Sequence, residues 1–68
     1  MNNGKIREGD IFKRDGAFIL VQGFENEDED SFAQVKMFDS IGLFVKEDCV
    51  NVLALYQMRF IKNISEIA

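Results

Sequence analysis

Five carboxylates occur within six consecutive positions of this 68-residue chain, directly after Phe24, at Glu25, Glu27, Asp28, Glu29 and Asp30. Carboxylate oxygens bind calcium, and a calcium-binding EF-hand needs glycine at the sixth position of its loop and an acid at the twelfth. Counted from Glu25, those positions hold Asp30 and Lys36, so the spacing excludes an EF-hand. Three interpretations of this acidic run stay open: a solvated loop tip, a surface that meets a basic partner, and weak, non-specific cation binding. We expect no dedicated metal site.

Residues for acid–base and nucleophilic catalysis are scarce. The chain has no histidine, the side chain best suited to proton transfer near neutral pH, which excludes triads built on histidine. Its one cysteine, Cys49, follows Glu47 and Asp48, whose carboxylates disfavour the reactive thiolate, and we expect a buried structural residue. No serine lies in a Gly-x-Ser-x-Gly motif, and no glycine-rich phosphate-binding loop is present. We therefore expect a protein that is not an enzyme and uses no cofactor.

The composition predicts a small folded domain. Hydrophobic residues make up 47% of the chain and charged residues 29%, which gives enough apolar surface to offset the entropy of ordering. We expect one domain over 1–68, with 1–5 as a flexible tail. A single cysteine cannot form an intrachain disulfide, no signal-peptide pattern opens the chain, and no apolar run approaches the roughly 18 residues of a membrane span. These features favour a cytoplasmic location.

The net charge of −4 comes from the acidic run. Without its five acids, seven acids remain against eight bases. The bases are scattered along the chain instead of forming a dense cluster, which argues against the binding of nucleic acid but leaves it open.

A β-hairpin is the clearest local prediction. Two apolar runs flank Asp15-Gly16, and this dipeptide favours a two-residue type I′ turn because glycine tolerates a positive φ. Such a turn sets Phe12 opposite Ile19 and Ile11 opposite Leu20. Both faces of the hairpin then carry large apolar side chains, so we expect both to be at least partly covered, as in a small closed barrel or a sheet backed by a helix. The flanking runs are Gly9–Arg14 and Ala17–Gln22.

Two further strands, Ser31–Phe38 and Leu43–Glu47, complete a predicted antiparallel meander of four. The even spacing of Phe18 and Phe24 also predicts one common face for these two rings if their strand is continuous. On the third strand, one face is predicted to hold Ala33, Val35 and Met37, and the other Phe32, Gln34, Lys36 and Phe38.

The C-terminal third permits two structures. A helix of about four turns over 52–66 groups four apolar side chains in one stripe, which Ile67 extends, with Asn51 as its N-cap. Alternatively, a helical turn near Leu53–Gln57 precedes a fifth strand over Met58–Ile64. The sequence does not decide between them. The stripe of the long helix is Leu53, Tyr56, Phe60, Ile64 and Ile67.

Three segments carry a resemblance to a known architecture: Ile6–Phe12, the Asp15-Gly16 turn and Met58–Ile61. A long loop separates the hairpin from the next strand, and a helical turn precedes the last strand in one of the two alternatives. In this order the segments resemble an SH3-like small β-barrel of the kind found among phage and prophage accessory proteins. The resemblance implies a mainly β fold and assigns no functional residues.

Two functional classes fit these features. The first is a protein-binding module, a small inhibitor or adaptor with an aromatic face beside the acidic run, because aromatic anchors among polar residues are typical of interface hot spots. The second is a nucleic-acid-binding barrel in which exposed phenylalanines stack on bases and Lys13, Arg14, Lys36 and Lys46 contact phosphates. We favour the first, with a basic protein surface as partner and no membrane contact; the apolar faces also favour homo-oligomers. Its candidate partner-binding residues are Phe24, Glu25, Glu27, Asp28, Glu29, Asp30, Phe32 and Phe38.

Overall fold

A computed structural model describes residues 6–24 and 32–66 of the chain. The elements are β1 Asp10–Arg14, β2 Ala17–Phe24, β3 Phe32–Phe38, β4 Phe44–Asn51, α1 Val52–Tyr56 and β5 Arg59–Asn63. The five strands form one antiparallel sheet in the order β4-β3-β2-β1-β5. The short helix α1 joins β4 to β5, and a 3-10 turn, Ile64–Glu66, follows β5. The predicted mainly β class is confirmed.

The β1–β2 hairpin has the predicted turn and register. Asp15 and Gly16 both have positive φ, 49° and 81°, as a type I′ turn requires at its two central residues. Phe12 pairs with Ile19, and Ile11 with Leu20, as the two-residue turn predicts. The local sequence therefore determines which side chains reach each face of the hairpin.

The β2–β3 ladder contains a bulge that the sequence analysis did not predict. On β3, Ala33 and Val35 are fully buried, which confirms the predicted alternation. On β2, the register shifts between Val21 and Gly23, so two residues oppose one on the partner strand. Phe18 therefore faces away from the core whereas Phe24 packs against it. The predicted common face for these two rings is wrong because the strand is not continuous in its alternation.

The C-terminal third forms a helical turn and a fifth strand. Asn51 caps α1 as predicted, since its Oδ1 accepts a hydrogen bond of 2.8 Å from the Leu53 amide. The helix buries Val52 and Leu55 and then ends, and β5 pairs antiparallel with β1. The alternative long helix is wrong, because tertiary pairing with the open edge of β1 outweighs a weak helical periodicity. The fourth strand also runs further than predicted, to Asn51.

A buried polar pair fastens β5 to β1. Asn63 Nδ2 donates to Asp10 Oδ1 at 2.8 Å and to the Glu8 carbonyl at 3.1 Å, while the other carboxylate oxygen of Asp10 accepts from the Arg7 amide at 2.9 Å. Gly9 lies against this pair with φ 91°, and a Cβ there would approach Ile64 Cγ2 to 2.9 Å. The pair borders the apolar core, whose buried residues are Ile6, Phe12, Ile19, Val21, Ala33, Val35, Val52 and Leu55.

Candidate functional site on the outer face of the sheet

The side of the sheet turned away from the core, here called the outer face, is apolar at its centre. Strand alternation produces this face, because Ile11 precedes the buried Phe12, and Phe18 and Leu20 flank the buried Ile19. Among the described residues no second layer of elements packs on this side, so the outer face of the hairpin is only partly covered, whereas its core face is fully covered. The central side chains are half-buried by one another: Ile11, Phe18, Leu20 and Phe38.

An open groove of about 410 Å³ crosses the outer face. It is formed mainly by aliphatic and aromatic side chains from β1, β2 and β3 and from the end of the chain. A register shift in the β1–β5 pairing sets Lys62 opposite Ile11 and Phe60 opposite Phe12, which leaves Ile61 as an additional residue. Because of this bulge, both Ile61 and Lys62 line the groove. The lining residues are Ile11, Phe18, Leu20, Phe38, Gly42, Ile61, Lys62 and Ile64.

The loop between β3 and β4 extends the apolar surface beyond the groove. Asp39 Oδ1 accepts hydrogen bonds from the amides of Ile41 at 3.0 Å and Leu43 at 2.9 Å, so the loop is held in a defined shape. Ile41 is 77% exposed and Leu43 61%, although both are large aliphatic residues. Phe44, 56% exposed, makes an edge-to-face contact with Phe38, with 6.0 Å between the ring centroids. The exposed apolar surface therefore continues from the groove onto this loop and the start of β4.

The charged side chains beside the groove are lysines. Lys13 Nζ lies 5.7 Å from the centroid of the Phe18 ring, Lys62 lines the groove, and Lys36 sits opposite Leu20 in the β2–β3 ladder. No acidic residue belongs to the lining. On β4, Glu47 is the register partner of Lys36, which places opposite charges side by side at the border of this face.

The structure separates the candidate partner-binding residues. Phe38 lies in the groove, whereas Phe24 packs against the core on the opposite side of the sheet. Phe32 is 45% exposed and lies six residues from Phe38 on β3, about 20 Å along the strand. The five carboxylates of the acidic run fall outside the described residues. Of the three candidates that the structure describes, only Phe38 therefore belongs to the groove.

Sequence reasoning missed the contribution of β5 to this face. Ile61 and Ile64 line the groove, but they come from the segment whose secondary structure the sequence left undecided. The apolar pattern of the hairpin predicted that its second face is apolar, but it did not indicate that Ile61 and Ile64 would lie at the border of this face.

Candidate chemical groups do not gather into a reactive or metal-binding cluster in the ranges 6–24 and 32–66. No set of three or more His, Cys, Asp or Glu residues there is arranged to hold a metal ion. Cys49 is exposed, so the expectation of a buried cysteine is wrong. The reason is that β4 continues through Cys49 as an edge strand, and Cys49 pairs with Gln34, which is also exposed.

Comparison of the chain with protein-family models, with curated proteins and with solved structures finds no match. In the described part of the chain, no helix has the length and apolar character needed to cross a membrane. Function is therefore inferred from the outer face itself.

Proposed function

We propose that this domain is a non-enzymatic protein-binding module that contacts its partner through the outer face. The observation that carries the proposal is the open apolar groove of about 410 Å³, bordered by exposed aliphatic and aromatic side chains. Contiguous apolar surface of this kind on a soluble protein is characteristic of interaction sites. The proposal also places the protein in the cytoplasm, as a small inhibitor or adaptor.

The side chains at the centre of the groove are suited to act as anchors. Phe18, Leu20 and Phe38 are half-buried against one another, so their rotamers are restricted before a partner arrives. Binding then loses little side-chain entropy, and a preorganised surface converts more of its buried area into affinity. Lys13 and Lys62 beside the groove favour a partner patch that has apolar side chains with acidic groups around them.

The acidic run has a separate role in this proposal. Its five carboxylates follow β2 in sequence and attract a basic surface on the same partner, which raises the association rate more than the lifetime of the complex. We also propose an SH3-like architecture, for which the return of β5 to β1 after a helical turn is the argument, and kinship with phage accessory proteins, which rests on the sequence resemblance alone.

Nucleic-acid binding is the second candidate, and one observation favours it. Lys13, Lys36 and Lys62 lie on the same face as the aromatic rings of the groove. The rings are less suited to stacking, since the Lys13 ammonium covers Phe18 and aliphatic side chains surround both Phe18 and Phe38. Lys46, an expected phosphate contact, is instead 3.7 Å from Asp48. We therefore favour a protein partner.

Affinity capture followed by binding measurements with the purified partner tests the proposal. The variant Ile61→Ser/Ile64→Ser removes apolar surface from the groove at side chains that are 37% and 50% exposed. The matched control is Leu53→Ser/Tyr56→Ser, which removes exposed apolar surface, 66% and 51%, from α1 away from the groove. We expect the groove variant to weaken binding at least about tenfold, because hot-spot residues contribute about 2 kcal/mol or more each, and the control to bind like the wild type.

A third variant separates the role of the acidic run. Replacing Glu25, Glu27, Asp28, Glu29 and Asp30 by glutamine or serine should leave the thermal melt nearly unchanged and slow association at low salt.

Equal binding by the groove variant and the wild type would contradict the proposal. Capture that disappears after nuclease treatment, with tight salt-dependent binding of DNA or RNA by the purified domain, would support the nucleic-acid alternative instead.

A further inference from the structure

Two bases face each other on neighbouring strands at the end of the sheet that contains the hairpin turn. Lys13 of β1 is the register partner of Arg59 of β5, and Arg14 is the next residue along β1. Like charges directly opposite each other on adjacent strands are destabilising. Elsewhere the described strands pair opposite charges, with Lys36 set against Glu47. A negative charge near Lys13, Arg14 and Arg59 would therefore relieve the repulsion between these bases.

The described residues supply little of that charge. The ion pairs among them join Arg7 to Asp10 and Lys46 to Asp48, and neither includes Lys13, Arg14 or Arg59. Among the described residues, Arg14 and Arg59 thus have no ion-pair partner, and Lys13 Nζ lies over the Phe18 ring instead of beside an acid.

These bases line a cleft of about 420 Å³ between the hairpin turn and the C-terminal end of α1. Its lining includes Lys13, Arg14 and Arg59 together with one acid, Asp15, so its formal charge is three minus one, or +2. Gln57 adds an uncharged amide that is able to donate hydrogen bonds. The cleft shares no lining residue with the groove on the outer face.

We propose that this cleft binds the phosphate group of a small molecule. Guanidinium groups donate paired, charge-assisted hydrogen bonds to phosphate oxygens, and a group of charge −1 to about −2 offsets the excess positive charge of the lining. The ligand is inorganic phosphate or a phosphate monoester, and the volume leaves room for either. This inference does not depend on the proposed docking role of the outer face, because Arg14 and Arg59 carry it and neither lines the groove; Lys13 alone lies beside both.

An NMR titration of the full chain with sodium phosphate tests the site, with ionic strength held constant by sodium chloride. We expect saturable shifts in the amides of the hairpin turn and of residues 57–59. The variant Arg14→Gln/Arg59→Gln should weaken binding at least about tenfold, since it removes both forks that hold the anion. The matched control Lys36→Gln/Lys46→Gln also removes two positive charges, from exposed or half-buried positions outside the cleft, and should bind phosphate like the wild type.

Several outcomes decide the matter. Tighter binding of a phosphate monoester such as phosphoserine than of inorganic phosphate identifies an ester as the ligand. Tighter binding of inorganic phosphate identifies the free ion. The inference would be overturned if the amide shifts changed as much on addition of sodium chloride as on addition of sodium phosphate. An equal loss of phosphate binding in both double variants would also overturn it. A short single-stranded oligonucleotide that binds through Arg14 and Arg59 more tightly than either small ligand would also overturn it. Circular dichroism melts of both variants confirm that each is folded before comparison.

Discussion

At the scale of single residues, the buried contacts of Asp10 and Asn63 show how polar groups specify a strand pairing. Asp10 is 1% exposed and Asn63 4%, and their hydrogen bond joins residues that are 53 positions apart in the chain. Buried polar groups are costly unless they are satisfied, so this pair is stable only when β5 lies beside β1 in the observed register. The pair thus contributes to specificity as well as to stability.

Replacing Asn63 by alanine should destabilise the domain. The substitution leaves Asp10 Oδ1 and the Glu8 carbonyl without the donor that now satisfies both, and an unsatisfied buried group costs about 1–3 kcal/mol. In a domain of this size each kcal/mol lowers the melting temperature by about 4–8 °C. Thermal and urea denaturation measure the effect, with the exposed neighbour Lys62→Ala as control. A melting temperature for Asn63→Ala equal to that of the control would show that water replaces the amide at no cost.

At the scale of elements, the β1–β2 turn is where local sequence has the strongest influence. We expect Gly16→Ala to lower the free energy of unfolding by about 1–2 kcal/mol, because an alanine at φ 81° occupies the left-handed region. Steric contact contributes little, since the nearest atom to a new Cβ is Ser40 Cβ at 3.9 Å. Gly23→Ala is the matched control, because Gly23 has no positive φ and a Cβ there would lie 3.8 Å from Glu8 Oε2.

Equilibrium denaturation of the two glycine variants separates turn geometry from a general effect of adding a methyl group. Equal destabilisation by Gly16→Ala and Gly23→Ala would show that the positive φ at the turn is not what the hairpin depends on.

Elements formed by contacts between residues close in sequence could be predicted, whereas elements that depend on contacts between distant segments could not. The hairpin depends on two adjacent turn residues, and both its turn and its register were predicted correctly. The bulge near Val21 adjoins Gly23, a residue type often found at bulges, but the predicted strand ended before this glycine; no residue type marks the bulge near Ile11. The choice between helix and strand for 59–63 depends on the open edge of β1, which lies some 50 residues earlier in the chain. Phe38 was predictable as a site residue, whereas Ile61 required the bulge and the strand together.

At the scale of the whole molecule, the two faces of the one sheet differ in how far their side chains are buried. The core face holds fully buried side chains such as Ala33 and Val35, and Leu55 of α1 belongs to the same core. The outer face holds half-exposed side chains such as Ile61, and Ile64 of the 3-10 turn lines the same groove. In a chain of 68 residues the apolar content is barely sufficient for one core, so apolar side chains left outside it require another explanation than folding. Association with a partner supplies one.

This division predicts opposite effects of substitutions on the two faces. Leu55→Ala creates a cavity at a side chain with no exposed surface and should lower the free energy of unfolding by about 2–5 kcal/mol, while the folded fraction binds its partner as before. Ile61→Ser/Ile64→Ser should change stability by about 1 kcal/mol or less, as surface substitutions do, but weaken binding. Urea denaturation and binding measured on the same samples report both quantities. If the groove variant unfolds as readily as Leu55→Ala, the outer face is a second core and not a docking surface, because its side chains would then be stabilising the isolated domain.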